Sequence, residues 1–369
     1  MYLRYTFIFI VFLLVIITGE YLIYLSFHTL GLYKYLYVKN ILLTLGILFP
    51  VMFVGSMFYG GEHFSILNSW IYTASAIWLG LLAYLVITAL IISILVIINN
   101  FLGLNIPIKQ ISVILLAFAF IITVYGIYNA NNPKIVNWEI SSPSLSPLWK
   151  DKKIVFISDT HLGMVRQEKF MQKVVDIINK EKPDITFNLG DLIDGPSFPY
   201  AKGMAPLNEL NAPLGNYYVE GNHERYSQEY NLFKENFPKN LNDITNKKVI
   251  VNNTQIIGIP FGSGKNEDQI KKELDSVSYD KNIPSIILMH DPKDTSKLAD
   301  NNVSLVLSGH THNGQFFPFT FLLKILYDKY VYGETYTGKT ISITSSGVGT
   351  AMPPLRIGTN PEIVVVTFK

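Results

Sequence analysis

The stretch Ile154-Val-Phe-Ile-Ser-Asp-Thr-His-Leu-Gly163 joins four apolar residues directly to an acid and an imidazole that stand two positions apart. A short apolar run with β-branched ends, followed by Ser and Asp, predicts a buried strand that delivers polar side chains to a sheet edge. In extended chain, residues two apart point to the same side, so Asp159 and His161 can converge on one ion. The pair alone equally fits a loop Asp beside a surface His, and the rest of the chain must decide.

The composition indicates two unlike parts. The chain has 369 residues and 49% hydrophobic content, which is too apolar for an ordinary soluble enzyme and too polar for a protein wholly in a membrane. Residues 1–130 hold 4 of the 30 basic and 2 of the 28 acidic residues, so the remainder has no net charge and does not favour nucleic acid. Cysteine is absent, which excludes disulfides and thiolate metal sites, so any metal must use His, Asp, Asn or Glu.

The first 130 residues are predicted to form a transmembrane domain of about four helices. Each apolar segment approaches or exceeds the roughly 20 residues needed to cross a bilayer. The segments are residues 5–27, 41–59, 69–98 and 111–128. Residues 131–150 are predicted to be a linker with an edge strand at 135–140, and residues 151–369 to be a second domain.

The chain is therefore predicted to be a multi-pass integral protein of the cell membrane. An even number of spans puts both ends on one side, and the short-loop charges leave the side open, with a slight lean toward an extracytoplasmic second domain. The charges compared are Arg4 and Lys134 against Lys34, Lys39 and Lys109. Glu20 is either an acid near a helix end or an intramembrane functional group.

Strand and helix patterns alternate beyond residue 150 and predict a layered α/β domain with ligand chemistry at the strand ends. The predicted strands are 154–157, 185–189, 217–219, 249–251, 256–259, 286–289, 305–307, 340–344 and 362–368. The predicted helices are 167–180, 229–236, 267–276 and 292–300.

Residues that bind hard metals follow five of these strands. After the first strand and its Asp159 and His161, the later turns carry Asp191 and Asp194, then Asn222 and His223, then His290, then His310 and His312. Five of the seven histidines stand at these positions, whereas the long loops contain none. Scattered surface histidines would not follow that pattern, so we expect five turns from one sheet to aim at a single point.

These motifs resemble the calcineurin-like metallophosphoesterases. The resemblance covers about residues 135–369 and rests on the motifs Asp159-x-His161, Gly190-Asp191-x-x-Asp194, Gly221-Asn222-His223-Glu224, His290 and Gly309-His310-Thr311-His312. The segments Gly347-Val348-Gly349, Pro353-Pro354-Leu355-Arg356 and Pro361-Glu362-Ile363 resemble the branch of membrane-associated bacterial members with N-terminal transmembrane helices. The resemblance implies a four-layer αββα sandwich.

The resemblance also implies a pair of divalent ions. Its ligand sets are Asp159, His161, Asp191 and His312 for one ion, and Asp191, Asn222, His290 and His310 for the other. Asp191 would bridge the pair, and the ligand types suit Mn, Fe or Zn, with Mn expected in vitro. Two such ions, roughly 3.5–4 Å apart, clamp the attacking and leaving oxygens of an in-line displacement, and a bridging water becomes the nucleophile.

His223 is the one histidine of this set that the family does not use as a ligand. The resemblance implies that it is either a general acid for the leaving alcohol or a donor that stabilises the transition state, with Asp194 orienting its imidazole. Protein-phosphatase relatives carry an Arg where this chain has Gly195, which argues against a phosphoprotein substrate and leaves Arg225 and Arg166 as candidate phosphate-binding cations.

Two features near the last histidine pair remain to be explained. Asn313 stands where many close relatives have Gly, which is expected to alter the local turn without removing a ligand. The apolar run from Gln315 to Tyr327 is too short to span a bilayer. Hidden core is the commoner explanation for such a run, and an exposed rim that touches the membrane surface is the other.

We therefore predict a membrane-anchored, metal-dependent hydrolase that cleaves a phosphodiester or pyrophosphate, with lipid and envelope components among the candidate substrates. The alternatives are a phosphomonoesterase, a catalytically weak interaction module with the same fold, or a membrane sensor or transporter with the esterase as its output. The expected partners are a phosphoester small molecule or lipid headgroup and the bilayer. Neither nucleic acid nor an obligate protein partner is predicted.

Overall fold

A computed structural model of the chain describes residues 16–28, 31, 36–60, 64–141, 145–195, 198–227, 229–262, 267–293, 295, 298 and 302–369. The chain divides into two compact units. The first holds the described residues up to Gly60, Ser65–Tyr128 and Pro353–Leu355. The second holds Phe64, the described residues of Asn129–Met352, and Arg356–Lys369. The domain boundaries predicted above stay predictions.

The first unit is helical. Residues 16–28 form a helix, followed by α1 (Leu36–Gly60), α2 (Ile66–Leu102) and α3 (Ile108–Ala130). The side chain of Ser65 caps α2 by accepting a hydrogen bond from the Asn68 N–H, and Gly103 ends the helix at φ 61°. Among the described residues, α2 and α3 are long and apolar enough to cross a membrane.

Four membrane-spanning helices are not confirmed. Much of the predicted first span, residues 5–27, lies outside the described residues. The carboxylate of Glu20 packs against Gly46 of α1, and its role stays a prediction. At 37 residues, α2 is about 55 Å long and exceeds the roughly 30 Å of a bilayer core.

The second unit is built on two six-stranded sheets. Sheet 1 has the order β1-β12-β2-β3-β4-β5, and sheet 2 has the order β10-β11-β9-β8-β7-β6. The strands of sheet 1 are β1 (Lys134–Ile140), β2 (Lys153–Ile157), β3 (Ile185–Asn188), β4 (Asn216–Tyr218), β5 (Asn242–Asp243) and β12 (Glu362–Phe368). Those of sheet 2 are β6 (Lys247–Val251), β7 (Thr254–Ile259), β8 (Ser285–Met289), β9 (Val303–Ser308), β10 (Gly333–Thr337) and β11 (Thr340–Thr344).

The helices of this unit are shorter. They are α4 (Glu168–Lys180), α5 (Tyr200–Met204), α6 (Asn222–Tyr226), α7 (Tyr230–Glu235), α8 (Glu267–Ser276) and α9 (Phe319–Tyr327). The predicted helix at 292–300 falls mostly outside the described residues, and Pro292, Lys293 and Thr295 are not helical.

Alternating side chains of β2 divide between two hydrophobic clusters. Ile154 and Phe156 lie in a cluster that both sheets share, whereas Val155 and Ile157 lie in a second cluster with residues of α4. Residues of β7 and β8 form a third cluster with Leu274 of α8. The predicted α/β fold with two sheets is confirmed.

The strands that carry the ligand-type residues come from both sheets. In sheet 1, β2, β3 and β4 are adjacent and parallel, and in sheet 2, β8 and β9 are adjacent and parallel. The expectation that one sheet carries all five turns is therefore wrong, because the turns after Met289 and Ser308 belong to sheet 2.

Candidate metal centre

The five strand ends bring their Asp and His side chains together in three neighbouring groups, two of which share His161. In each group the ligand atoms lie within 4.8 Å of one another. The groups are Asp159 with His161 and His312, Asp191 with His290 and His310, and His161 with Asp194 and His223. Residues up to 153 positions apart in sequence therefore meet, as the strand-end pattern predicted.

In the first group, two histidine nitrogens face each other. Nε2 of His161 is 3.0 Å from Nε2 of His312, which is 3.5 Å from Oδ1 of Asp159. Oδ2 of Asp159 accepts hydrogen bonds from the Ser158 hydroxyl and from the His310 N–H. Oδ1 is buried and has no hydrogen-bond partner among the residues that the structure describes.

The second group repeats this arrangement. Nε2 of His290 lies 3.1 Å from Oδ2 of Asp191, 3.1 Å from Nδ1 of His310 and 3.2 Å from Oδ1 of Asn222. Nδ1 of His290 is 2.8 Å from the Leu189 carbonyl oxygen, to which its N–H donates. That hydrogen bond leaves the Nε2 lone pair directed into the site.

Asp191 lies between the two groups, because its Oδ2 is also 3.9 Å from Nε2 of His161. Burial lowers the pKa of His161, but the hydrogen bond and charge of Asp194 and the charges of Asp191 and Asp159 outweigh it and raise that pKa to about 9. Burial also lowers the pKa of His290, but the neighbouring Asp191 and Asp159 outweigh it and raise that pKa to about 10. Although burial raises the pKa of Asp191, the neighbouring histidines hold it far below its usual range.

The backbone is strained at the predicted ligands. Positive φ angles, which non-glycine residues rarely adopt, occur at Asp159 (56°), His161 (50°), Asp191 (49°), His310 (69°) and His312 (49°). Such strain costs on the order of 1–3 kcal/mol per residue and clusters at functional sites. Asn313 also adopts the left-handed conformation, at φ 49°, which explains why Gly suits this position and why Asn can replace it.

Glu224 ties the turns after β3 and β4 together. Its carboxylate is fully buried and accepts the N–H groups of Asp191, Gly221 and Ile193 at 2.9–3.0 Å. Gly190, at φ 93°, lies so close to Gly221 that a Cβ atom would fall 2.7 Å from the Gly221 Cα. The two turns therefore need both glycines and the acid to bring Asp191 and Asn222 to one place.

Asp194 contacts both His161 and His223, the histidine that it was predicted to orient. Its Oδ1 is 3.0 Å from Nδ1 of His161 and 3.6 Å from Nδ1 of His223. Nδ1 of His223 is instead 3.0 Å from the Asp194 carbonyl oxygen. The carboxylate thus fixes the ring of His161, and the backbone of the same residue fixes the ring of His223, whose side chain stays 31% exposed.

Arg356 supports the first group, and sequence reasoning gave it no role. Its buried guanidinium donates to the carbonyl oxygens of His312, Ser346 and Gly349, and its Nη2 lies 3.1 Å from Nδ1 of His312. The motif quoted above contains Arg356, but no local pattern reveals a contact with a residue 44 positions away.

The two candidate phosphate-binding arginines lie differently. Arg166 is buried, donates to the Ala130 carbonyl oxygen and to Asn131, and stacks on Phe170. It is therefore not available to bind phosphate. Arg225 is exposed in α6, beside His223 and Glu224.

Aromatic rings border His310. The Phe261 ring lies 5.7 Å from the His310 ring and the Tyr327 ring lies 6.3 Å from it, both measured between centroids. Tyr327 ends α9, in which no residue is buried. The hidden-core explanation for the apolar run at 315–327 is therefore wrong over α9, where the run is exposed, and contact of this run with a membrane stays a prediction.

The geometry suits divalent metal ions. Nitrogen lone pairs 3.0–3.1 Å apart repel unless a proton or a cation lies between them, and the unpaired Oδ1 of Asp159 faces the same space. Imidazole, carboxylate and amide ligands fit Mn, Fe or Zn. The fold and this centre define a class: two-sheet α/β proteins with Asp and His clusters suited to divalent metals at their strand ends.

Comparison with known proteins gives the family. The model of the calcineurin-like phosphoesterases matches residues 152–314. An uncharacterized metallophosphoesterase of Campylobacter jejuni is 34% identical over 68% of this chain and 68% of that protein. One from Aquifex aeolicus is 35% identical over 60% of this chain and 87% of that protein. A bovine transmembrane protein with metallophosphoesterase domain is 30% identical over 66% of this chain and 59% of that protein.

The chain belongs to the calcineurin-like metallophosphoesterase family, as its motifs predicted. The matched stretch covers between 59% and 87% of these three relatives.

Proposed function

We propose that the protein is a membrane-anchored, dinuclear-metal hydrolase that cleaves phosphodiester or pyrophosphate bonds. The observation that carries this proposal is the pair of Asp and His groups on either side of Asp191, with the unpaired Oδ1 of Asp159 between buried histidines. One ion would be held by Asp159, His161, Asp191 and His312. The other would be held by Asp191, Asn222, His290 and His310.

When bound, the two ions would supply positive charge for the phosphoryl oxygens and activate a water for in-line attack. The residues of the chain hold the site ready for this. Asp194 and the Leu189 carbonyl oxygen fix the rings of His161 and His290 so that each Nε2 lone pair points inward. No serine or cysteine nucleophile is required.

His223 is proposed to protonate the leaving group. Its Nδ1–H is held by the Asp194 carbonyl oxygen, and its Nε2 lies 4.0 Å from Oδ2 of Asp191, at the edge of both groups. The side chain is partly exposed, which allows a protonated Nε2 to reach a leaving oxygen.

Membrane anchoring is proposed from α2 and α3, the two long apolar helices, and is supported by the similarity to a transmembrane relative. Preference for diesters or pyrophosphates over phosphoproteins is supported by Gly195, which replaces the phosphate-contacting Arg of protein-phosphatase relatives, and by the engagement of Arg166 elsewhere.

Purified full-length protein with Mn should hydrolyse bis-p-nitrophenyl phosphate faster than p-nitrophenyl phosphate. Asp191→Asn should strongly lower both this activity and the amount of bound metal, because it exchanges the carboxylate proposed to serve both ions for a neutral amide with a single acceptor oxygen. The matched control is Asp176→Asn on the exposed face of α4, which should keep full activity. Unchanged activity in Asp191→Asn would refute the site assignment. Faster cleavage of the monoester than of the diester would indicate a phosphomonoesterase. If metal analysis finds no transition metal bound to the purified wild-type protein, the domain would instead be an interaction module.

A further inference from the structure

The outward face of α9 is apolar. Phe321, Leu322, Ile325 and Leu326 are between 47% and 68% exposed, and their spacing places them on one side of the helix. The opposite side carries Thr320, Leu323 and Tyr327, each partly buried. A surface helix normally turns its apolar residues to the core, whereas α9 has apolar residues on both sides and leaves one of these sides exposed.

The exposed patch continues around the helix. Phe317 and Phe319 at its start are 53% and 44% exposed. A contiguous apolar surface of this kind is uncommon on a soluble monomer and marks a site of contact with a protein or a membrane.

The charges around α9 suit a lipid surface. Lys324 on the helix and Lys329 just beyond it are exposed, and Asp328 between α9 and Lys329 is the exposed acid at this end. Helices that lie in a membrane interface combine Phe and Leu on one side with Lys at the margins, where the ammonium groups meet lipid phosphates.

The chain itself keeps this unit close to a bilayer if α3 is a membrane helix. Only residues 131–133 separate the end of α3 at Ala130 from β1, and three residues span about 10 Å. This connection is also held in place, since Lys173 donates to the Asn131 carbonyl oxygen and to Asn132, and Arg166 donates to the Ala130 carbonyl oxygen.

We propose that α9 docks on the lipid bilayer surface and delivers membrane lipids with a phosphoester headgroup to the metal centre. Tyr327 at the end of α9 touches His310, so a headgroup beside a docked helix would reach the ligands without leaving the interface. Docking rests on the proposed membrane anchor, and the choice of substrate rests on the proposed hydrolase activity.

Docking can be tested without any activity measurement. The chain has no cysteine, so Leu326→Cys introduces a single site for an environment-sensitive fluorophore in the full-length protein. In phosphatidylcholine nanodiscs, spin-labelled acyl chains should quench this probe at least twofold and its emission should shift to the blue. The control is Ile250→Cys on β6, which is 55% exposed and should not be quenched. Equal quenching at the two positions would overturn docking. A probe at position 326 whose emission shifts to the blue without quenching, and whose shift depends on protein concentration, would also overturn docking, because it would show contact between copies of the chain.

Substrate delivery is tested with Phe321→Asp and Leu326→Asp together. This variant should cleave a phosphodiester lipid in nanodiscs at least tenfold more slowly than wild type and should cleave soluble bis-p-nitrophenyl phosphate within twofold of it. Loss on both substrates, or on neither, would overturn delivery by α9. A wild-type protein that cleaves neither substrate would overturn the hydrolase proposal and the substrate choice, while the quenching result would still decide docking.

Discussion

His223 differs from His161 and His290 in its exposure to solvent. Its side chain is 31% exposed, whereas the side chains of His161 and His290 are buried among carboxylates. We therefore predict that His223→Ala lowers kcat by roughly 10²–10⁴ for substrates with an alkoxide leaving group and by much less for p-nitrophenolate, which needs no proton. Steady-state kinetics over leaving groups of different pKa would measure this difference.

Metal content is the control for that experiment. It should match wild type in His223→Ala, because none of the proposed ligands is removed. A rate loss that is equal for all leaving groups would instead indicate that His223 positions the substrate or supports the site.

The ligand-type residues could be predicted from sequence because each lies in the turn after an apolar run, and a short apolar run predicts a buried strand. The contacts behind them could not. Arg356 and Asp194 meet their histidines only through tertiary packing, and nothing in the local pattern distinguishes His161 from His223 as the partner of the Asp194 carboxylate. The strained φ angles of the ligands likewise have no local sequence signature, since neither Asp nor His requires them.

At the scale of elements, apolar runs predicted the long buried strands well. They failed where a strand is polar or where apolar residues are exposed. The edge strands β5 and β10 were missed, because Asn242-Asp243 and Gly333–Thr337 are polar or only partly buried. For α9 the sequence left hidden core and an exposed rim open, because hydrophobicity alone does not tell whether an apolar residue is buried. The apolar residues of this helix are exposed. A single sheet was expected for the five turns because sequence gives strand order along the chain and not strand pairing.

Glu224 joins two of these turns, and its loss should loosen both. In Glu224→Gln one of the two carboxylate oxygens becomes an NH₂ group, which cannot accept a hydrogen bond. Either the N–H groups of Asp191 and Gly221, which both donate to Oε2, or the N–H of Ile193, which donates to Oε1, then loses its acceptor. Leaving a buried donor unpaired costs about 1–3 kcal/mol. We predict a lower thermal unfolding temperature and weaker metal binding. The exposed Glu209→Gln should change neither, and a wild-type melting curve for Glu224→Gln would contradict this account.

At the scale of the whole molecule, metal should stabilise the second unit, and more so at high pH. Ligands that bind only the folded state stabilise it by about 2.7 kcal/mol at 100 times their Kd, so Mn should raise the unfolding temperature and EDTA should lower it. Asp191→Asn should not respond.

The pH dependence follows from His161 and His290. Their pKa values are raised to about 9 and about 10 in the folded, metal-free chain, against roughly 6.5 when unfolded. Protonation therefore stabilises the metal-free fold fully below about pH 6.5, and that stabilisation is lost as the pH rises through the folded values. Metal needs both rings neutral and must displace these protons. The Mn-induced rise in unfolding temperature should thus be larger at pH 8 than at pH 6, and calorimetry in buffers of different ionisation enthalpy should detect released protons. A rise that is the same at both pH values, with no proton release, would show that these two histidines do not bind the metal.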